Sequence, residues 1–301
     1  MGDPVPARVP AGAQAGVPAS AETVETPSGK GAGDENFPVA SFLLPARMRP
    51  CVAAFYDFAR AADDIADNPA LAPADRIARL DAMEAGLAAP GDMSKAGRLA
   101  ARLAGHGLDT RHARALLVAF RQDARKARYA SLAELHAYCR NSADPVGRFL
   151  LDLHEGTRAE AGYPYSDALC TALQILNHLQ DCGKDLAAMD RCYLPQDWLA
   201  EDGASIEDLR RPQASAGLRR VLDRLLYDVD AQLARASALP GRLRSRRLAM
   251  ESAVILRLAR RLARRLRRDD PLAGRVAPGR WDFLAAGVTG AVSGFFGGGR
   301  A

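Results

Sequence analysis

Apolar residues along this chain recur every three or four positions rather than every second one, which predicts helices and almost no strand. Ile77, Leu80, Met83 and Leu87 form one stripe on a helix that starts at Pro73. Leu116, Leu117 and Phe120 mark the buried side of another, over about 110–128, and Val254, Ile255, Leu258, Leu262 and Leu266 line a long helix within 243–268. A further helix fits 214–237. Breakers and caps punctuate the pattern. Pro50 suits the first turn of a helix that Asn68-Pro69 ends, and a helix over about 94–104 stops at Gly105. Ser131-Leu132-Ala133-Glu134 is a capping box whose helix must break at Asp144-Pro145, because proline removes a backbone donor. Gly162–Tyr165 reads as a turn, with Ser166 capping a helix over about 167–189 and Arg191–Pro195 leaving it extended.

Two of these helices carry carboxylates where their neighbours are apolar. Over Tyr56–Asp67, an advance of about 100° per residue puts Asp63 and Asp67 on one face, with Asp64 beside them and Arg60 one turn back. Like charges one turn apart weaken a helix unless a cation holds them. Taken alone, the stretch also fits a solvated acidic helix end. The second helix carries Gln174, Asn177, Asp181 and Asp185 as one oxygen-bearing stripe. Hard oxygen donors without Cys/His pairs point to Mg²⁺, which is usually bound jointly with substrate phosphates. Two such helices facing each other suit diphosphate binding and ionisation.

Composition narrows the class. Alanine, leucine and arginine dominate the 301 residues and aromatics make up 6%, consistent with an all-α fold built on one large core. The net charge is +5, from 41 basic and 36 acidic residues, so most charge is mutual surface cover. Five cysteines without C-x-x-C spacing read as reduced thiols of a cytoplasmic protein. The expected order is a Pro/Gly/Ala-rich disordered tail over 1–33, a helical domain over 34–275, and an apolar, glycine-interspersed segment with a Gly-rich tail over 276–301. That last segment is too short to cross a bilayer but suits packing on the bundle or dipping into a membrane surface. The charged run 121–128 reads as a solvated face. His178 and the other four histidines (106, 112, 136, 154) read as structural.

Together, Tyr56-x3-Arg60-x2-Asp63-Asp64-x2-Asp67 and Gln174-x2-Asn177-x3-Asp181-x3-Asp185 resemble the squalene and phytoene synthase family, and Tyr138-Cys139 with Val146-Gly147 matches a third segment of it. The resemblance spans about 35–193 and, more loosely, the C-terminal helices. Two stretches look most like the hydroxysqualene synthase branch of bacterial hopanoid biosynthesis, often labelled squalene synthase: Glu35–Ser41, and Phe120–Asp123 continuing through Arg128-Tyr129 to Arg140–Arg148. Two departures stand out. Lys184 replaces an acidic residue, and the loop from Asp185 to Arg191 runs about one residue longer than in several relatives.

The resemblance implies a single-domain isoprenoid synthase-type bundle around a central hydrophobic cavity. It also implies conversion of presqualene diphosphate and water to hydroxysqualene and diphosphate. Asp63, Asp67, Asn177 and Asp181 would ligate two or three Mg²⁺ ions, with Asp64 and Asp185 close behind. Arg60 would grip phosphate oxygens and Tyr56 donate a hydroxyl. Asn36, Phe37, Ser41, Tyr138, Gly147, Gln174, Arg191 and Tyr193 would line the substrate. No NADPH is expected. Head-to-head condensation of two prenyl diphosphates is the alternative activity. From another class, the arginine-rich helix within 243–268 suits a membrane-surface or nucleic-acid binding module. No nucleic-acid partner is expected, whereas a peripheral contact with the cytoplasmic membrane face is. The sequence leaves monomer and homodimer open.

Overall fold

The computed structural model describes residues 45–277. Asn36, Phe37, Ser41, the 1–33 tail and the Trp281–Phe296 segment lie outside the described residues.

Eleven helices account for most of the described chain: α1 (Arg49–Ala66), α2 (Pro73–Gly86), α3 (Lys95–Gly105), α4 (Arg111–Asp123), α5 (Leu132–Ser142), α6 (Asp144–Glu155), α7 (Tyr163–Met189), α8 (Gln196–Glu201), α9 (Ala216–Ala236), α10 (Leu239–Arg242) and α11 (Arg246–Arg268). The central element is α7. Its 27 residues span about 40 Å at 1.5 Å each, and it packs against α5, α6, α9 and α11. Helix α1 packs against α2, α3 and α4. The layer α4–α5–α6 joins these two sides, and Phe55 of α1 stacks on Phe149 of α6 with ring centroids 4.1 Å apart.

Most boundaries follow the local chemistry. Pro50 sits in the first turn of α1, and Ser131 caps α5 by accepting from the Glu134 N–H. The Glu134 carboxylate reaches the Ala130 N–H rather than that of Ser131, so the expected box is displaced by one residue. At Asp144-Pro145 the chain breaks as expected, into α5 and α6.

Three boundaries differ from the sequence reading. Helix α7 starts at Tyr163, because Pro164 in its first turn needs no donor and a 3₁₀ segment, Gly156–Gly162, feeds directly into it; Ser166 is buried inside the helix instead of capping it. The left-handed residue beyond α3 is Gly107 (φ 68°), not Gly105, which is the last helical residue. Helix α4 ends at Asp123, and the chain then forms a two-residue strand, β1 (Arg128–Tyr129), parallel to β2 (Cys192–Pro195). The exit from α7 is set by Asp190, which takes a left-handed φ of 51° while its side chain pairs with Arg128 Nη2 at 2.7 Å. Packing continues past 275: Val276 is buried, and its carbonyl accepts from Gln180 on α7.

Candidate active site

The C-terminal ends of α1 and α4 meet the start of β2, and a buried arginine joins them. Arg191 is 6% exposed. Its Nη1 donates to Asp67 Oδ1 at 2.8 Å and to the Tyr193 hydroxyl at 3.3 Å, and its Nη2 donates to the Asp123 carbonyl at 3.3 Å. Burial alone would loosen its proton. Tyr193, Asp123 and Asp67 outweigh that and hold the guanidinium above even its usual range.

On α1 the acidic motif carries its own counter-charge. Arg60 Nη1 lies 3.0 Å from Asp63 Oδ2, and Nη2 lies 2.8 Å from Asp64 Oδ1. Asp64 therefore faces Arg60, behind Asp63. Tyr56 stands one turn before Arg60, half-buried. The Asp63 carboxyl is pushed up to about 7, chiefly by burial and then by the charge of Asp67, with Arg60 opposing. Its side chain keeps 38% of its exposure, so solvent screens this field.

On α7, Asp185 is likewise pushed up to about 7, by burial and by Asp181, with Arg191 opposing and Asp67 adding to the rise. The influence of Asp67 on Asp185 crosses from one motif to the other, so the two helices share one electrostatic field. Asp181 has Lys184 Nζ at 3.8 Å.

Asp123 is the site residue that sequence reasoning missed. The charged run 121–128 was expected to be a solvated face, yet Asp123 is only 8% exposed. Its Oδ2 accepts from the Tyr138 hydroxyl at 2.7 Å and its Oδ1 from the Tyr193 hydroxyl at 3.5 Å. Burial pushes its carboxyl up to about 7 against the pull of Arg191 and Tyr138. The signal was present, since Asp123 follows Leu116 and Phe120 at helical spacing and falls on the buried stripe of α4.

Around Asp123 the rings of Tyr129, Tyr138, Tyr193 and His178 pack together. The closest pair is His178 on Tyr193, stacked with centroids 3.5 Å apart. Burial pushes His178 down to about 3, so it is neutral, and it shares a 3.2 Å hydrogen bond with Gln174 one turn earlier. Its structural reading holds, as part of the site wall. Burial also raises the Tyr138 and Tyr193 hydroxyls, which keeps both as donors.

Gly147, expected to face the substrate, also has a packing role. A Cβ there would strike the Ser166 hydroxyl and come within 2.6 Å of Cys170 Sγ, so the glycine lets α6 approach α7. Beside Asp67, Asp123 and Arg191 opens a cleft of about 520 Å³, whose other charged walls are Arg76, Arg125, Lys126, Asp190 and Arg210.

The donor set suits Mg²⁺. Asp63, Asp67, Asn177, Asp181 and Asp185 offer oxygen as their ligating atoms, and burial followed by mutual repulsion raises two of these carboxyls. As described, the carboxylates turn to Arg60, Lys184 and Arg191, and among the described residues no three His, Cys, Asp or Glu converge on one metal position.

The chain is similar to known proteins over most of its length. A hydroxysqualene synthase of Zymomonas mobilis is 46% identical over 252 residues, covering 83% of this chain and 84% of its own. One of Rhodopseudomonas palustris is 44% identical over 254 residues, covering 84% and 86%. Among solved structures, the squalene synthase HpnC of Alicyclobacillus acidocaldarius superposes with a TM-score of 0.68 at 34% identity, over 76% of this chain and 87% of that one. A dehydrosqualene synthase solved with a ligand gives 0.73 at 22% identity, over 86% and 91%, a likeness of fold alone. The squalene/phytoene synthase family model matches residues 31–282, and with both acidic motifs in place the chain belongs to that family.

Proposed function

We propose that this enzyme converts presqualene diphosphate and water to hydroxysqualene and diphosphate, a step of hopanoid biosynthesis. The observation that carries the reading is the pairing of two acidic helices in one field, with Arg60 and Arg191 set among their carboxylates. The identity to proteins named hydroxysqualene synthase selects the branch.

Asp63, Asp67, Asn177 and Asp181 are the residues that would hold Mg²⁺, which when bound neutralises charge on the departing diphosphate as a Lewis acid. Arg60 and Arg191 are in salt bridges with carboxylates and can exchange those partners for phosphate oxygens, for which a guanidinium fork is well suited. The C–O bond to diphosphate breaks with its electron pair leaving on oxygen. The carbocation left on the C30 skeleton faces neutral aromatic rings, Tyr138 and Tyr193 among them, whose π faces stabilise positive charge. Neutral His178 adds no competing cation. Water oxygen then forms the new C–O bond, and the released diphosphate accepts the proton.

The test is incubation of the purified protein and Mg²⁺ with presqualene diphosphate or with farnesyl diphosphate alone. Hydroxysqualene from the first and no product from the second is the expected result. Turnover of farnesyl diphosphate to a C30 diphosphate would establish condensation instead.

A further inference from the structure

The outer face of α11 carries charge that the acidic site does not use. Six arginines fall within nine residues, at 260, 261, 264, 265, 267 and 268. Arg260, Arg264, Arg267 and Arg268 are exposed and follow one another at helical spacing, so they form a continuous stripe. A shallow cleft of about 490 Å³ is walled entirely by arginines: 261, 264, 265, 267 and 268. The helix dipole accounts for cations in a last turn, but its influence fades before Arg260 and Arg264. Asp269 and Asp270 follow at the helix end, and Asp270 accepts from the Ala214 and Leu272 N–H groups. Arg267 pairs with Asp230 of α9 and also donates to the Leu226 carbonyl.

Between those two contacts on α9 lies Tyr227, which is 78% exposed. A tyrosine standing free beside arginines has the chemistry of a bilayer interface, with an apolar ring and a hydroxyl that reaches water. A nucleic-acid surface would instead interleave several stacking aromatics with its cations. The face is also tied to the acidic site. Residues 272–277 leave α11 and cross α7, where Leu272 lies against Gly183 and the Val276 carbonyl accepts from Gln180; the Ala277 carbonyl accepts from Arg265 at 2.9 Å.

We infer that the arginine stripe of α11, with Tyr227 beside it, docks the protein on an anionic phospholipid bilayer. Guanidinium groups grip headgroup phosphates, and the tyrosine ring enters the interface. Docking here sets the end of the molecule that carries Gln180 and Asp181 beside the membrane. The benefit, short-range transfer of a C30 lipid, rests on the function proposed above; the binding itself does not.

The test uses the full chain in vesicle flotation, with phosphatidylglycerol–phosphatidylcholine vesicles against phosphatidylcholine alone. Binding is expected only to the anionic vesicles and weakens as salt rises. An R264Q/R268Q double variant is expected to bind about thirtyfold more weakly, at about 1 kcal/mol per arginine. Tyr227→Ala is expected to weaken binding several-fold at both low and high salt. Turnover of presqualene diphosphate in detergent stays at the wild-type level in all these variants, which separates loss of docking from loss of fold. Absence of wild-type turnover there would overturn the proposed function and leave the vesicle result standing. Equal binding to neutral vesicles, or unchanged binding by the double variant, overturns the inference. Release from vesicles by soluble diphosphate would identify the ligand as free phosphate, and tighter retention on single-stranded nucleic acid would identify a polyanion; either overturns it too.

Discussion

Asp123 shows how one side chain can organise a site without a motif to announce it. Its carboxylate holds two tyrosine hydroxyls, and its backbone carbonyl holds Arg191. Asp123→Asn keeps the size but gives up the negative charge, leaving Arg191 with Asp67 as its main counter-charge. We expect kcat to fall at least tenfold with a smaller change in KM, checked by steady-state kinetics alongside Tyr138→Phe, which removes only the hydroxyl. Asp67→Asn removes an expected metal ligand and half of the Arg191 ion pair together, so a loss of two to three orders of magnitude in kcat/KM is expected, roughly 3–4 kcal/mol. Retained activity in that variant would remove the first acidic motif from the mechanism. At this scale the sequence was informative wherever charge interrupted an apolar helix, as at Asp63, Asp67 and Asp181. It was misleading at Asp123, because four charged neighbours within 121–128 hid the one that points inward.

Contacts between helices explain residues whose packing role local pattern does not show. Gly147 marks the close approach of α6 to α7, so Gly147→Ala should overpack that contact and cost roughly 1–3 kcal/mol, read as a lowered melting temperature. Adding Ser166→Ala should recover part of the loss, since it deletes the hydroxyl that the new methyl meets. Asp144, in the first turn of α6, is 3% exposed and accepts from the Thr171 hydroxyl of α7 at 3.1 Å. Burial raises its carboxyl to about 7, with Asp167 adding to the rise. The folded state therefore holds this proton more tightly than the unfolded chain, so the contribution of Asp144 to stability falls as pH rises from about 4 to 7. Asp144→Asn keeps the acceptor and removes the titration. Urea midpoints across that window should decline less steeply in the variant than in the wild type; parallel profiles would show that Asp144 does not titrate there.

Over the whole molecule, α7 is the scaffold and the acidic field is its product. Asp63, Asp123 and Asp185 all rise to about 7, because three separate elements bring them into one partly dehydrated region. Ligands that neutralise this region should stabilise the fold. Mg²⁺ with inorganic diphosphate at a hundred times its dissociation constant should add about 2.7 kcal/mol, or roughly 5–10 °C in melting temperature for a domain of this size. Chelation by EDTA should reverse the shift, and an Asp67→Asn/Asp181→Asn double variant should show none. A metal-independent shift would place the anion on Arg60 and Arg191 alone. Among the described residues no helix is long and apolar enough to cross a membrane. Any membrane contact of that part of the chain is therefore a matter of surface chemistry, as on α11.

By itself the sequence determined the helical class, most helix boundaries and the two carboxylate stripes, because each depends on neighbours within one or two turns. Resemblance across both motifs extended that to the family. Tertiary structure decided what local pattern does not encode: that Asp123 faces inward, that Arg191 bridges to Asp67, that Gly147 serves packing, and that His178 stacks neutral against Tyr193. The physical reason is range. Periodicity reports which face of a helix is buried, whereas the protonation and partners of a buried charge depend on groups far away in sequence, and only the packing of α1, α4 and α7 brings those together.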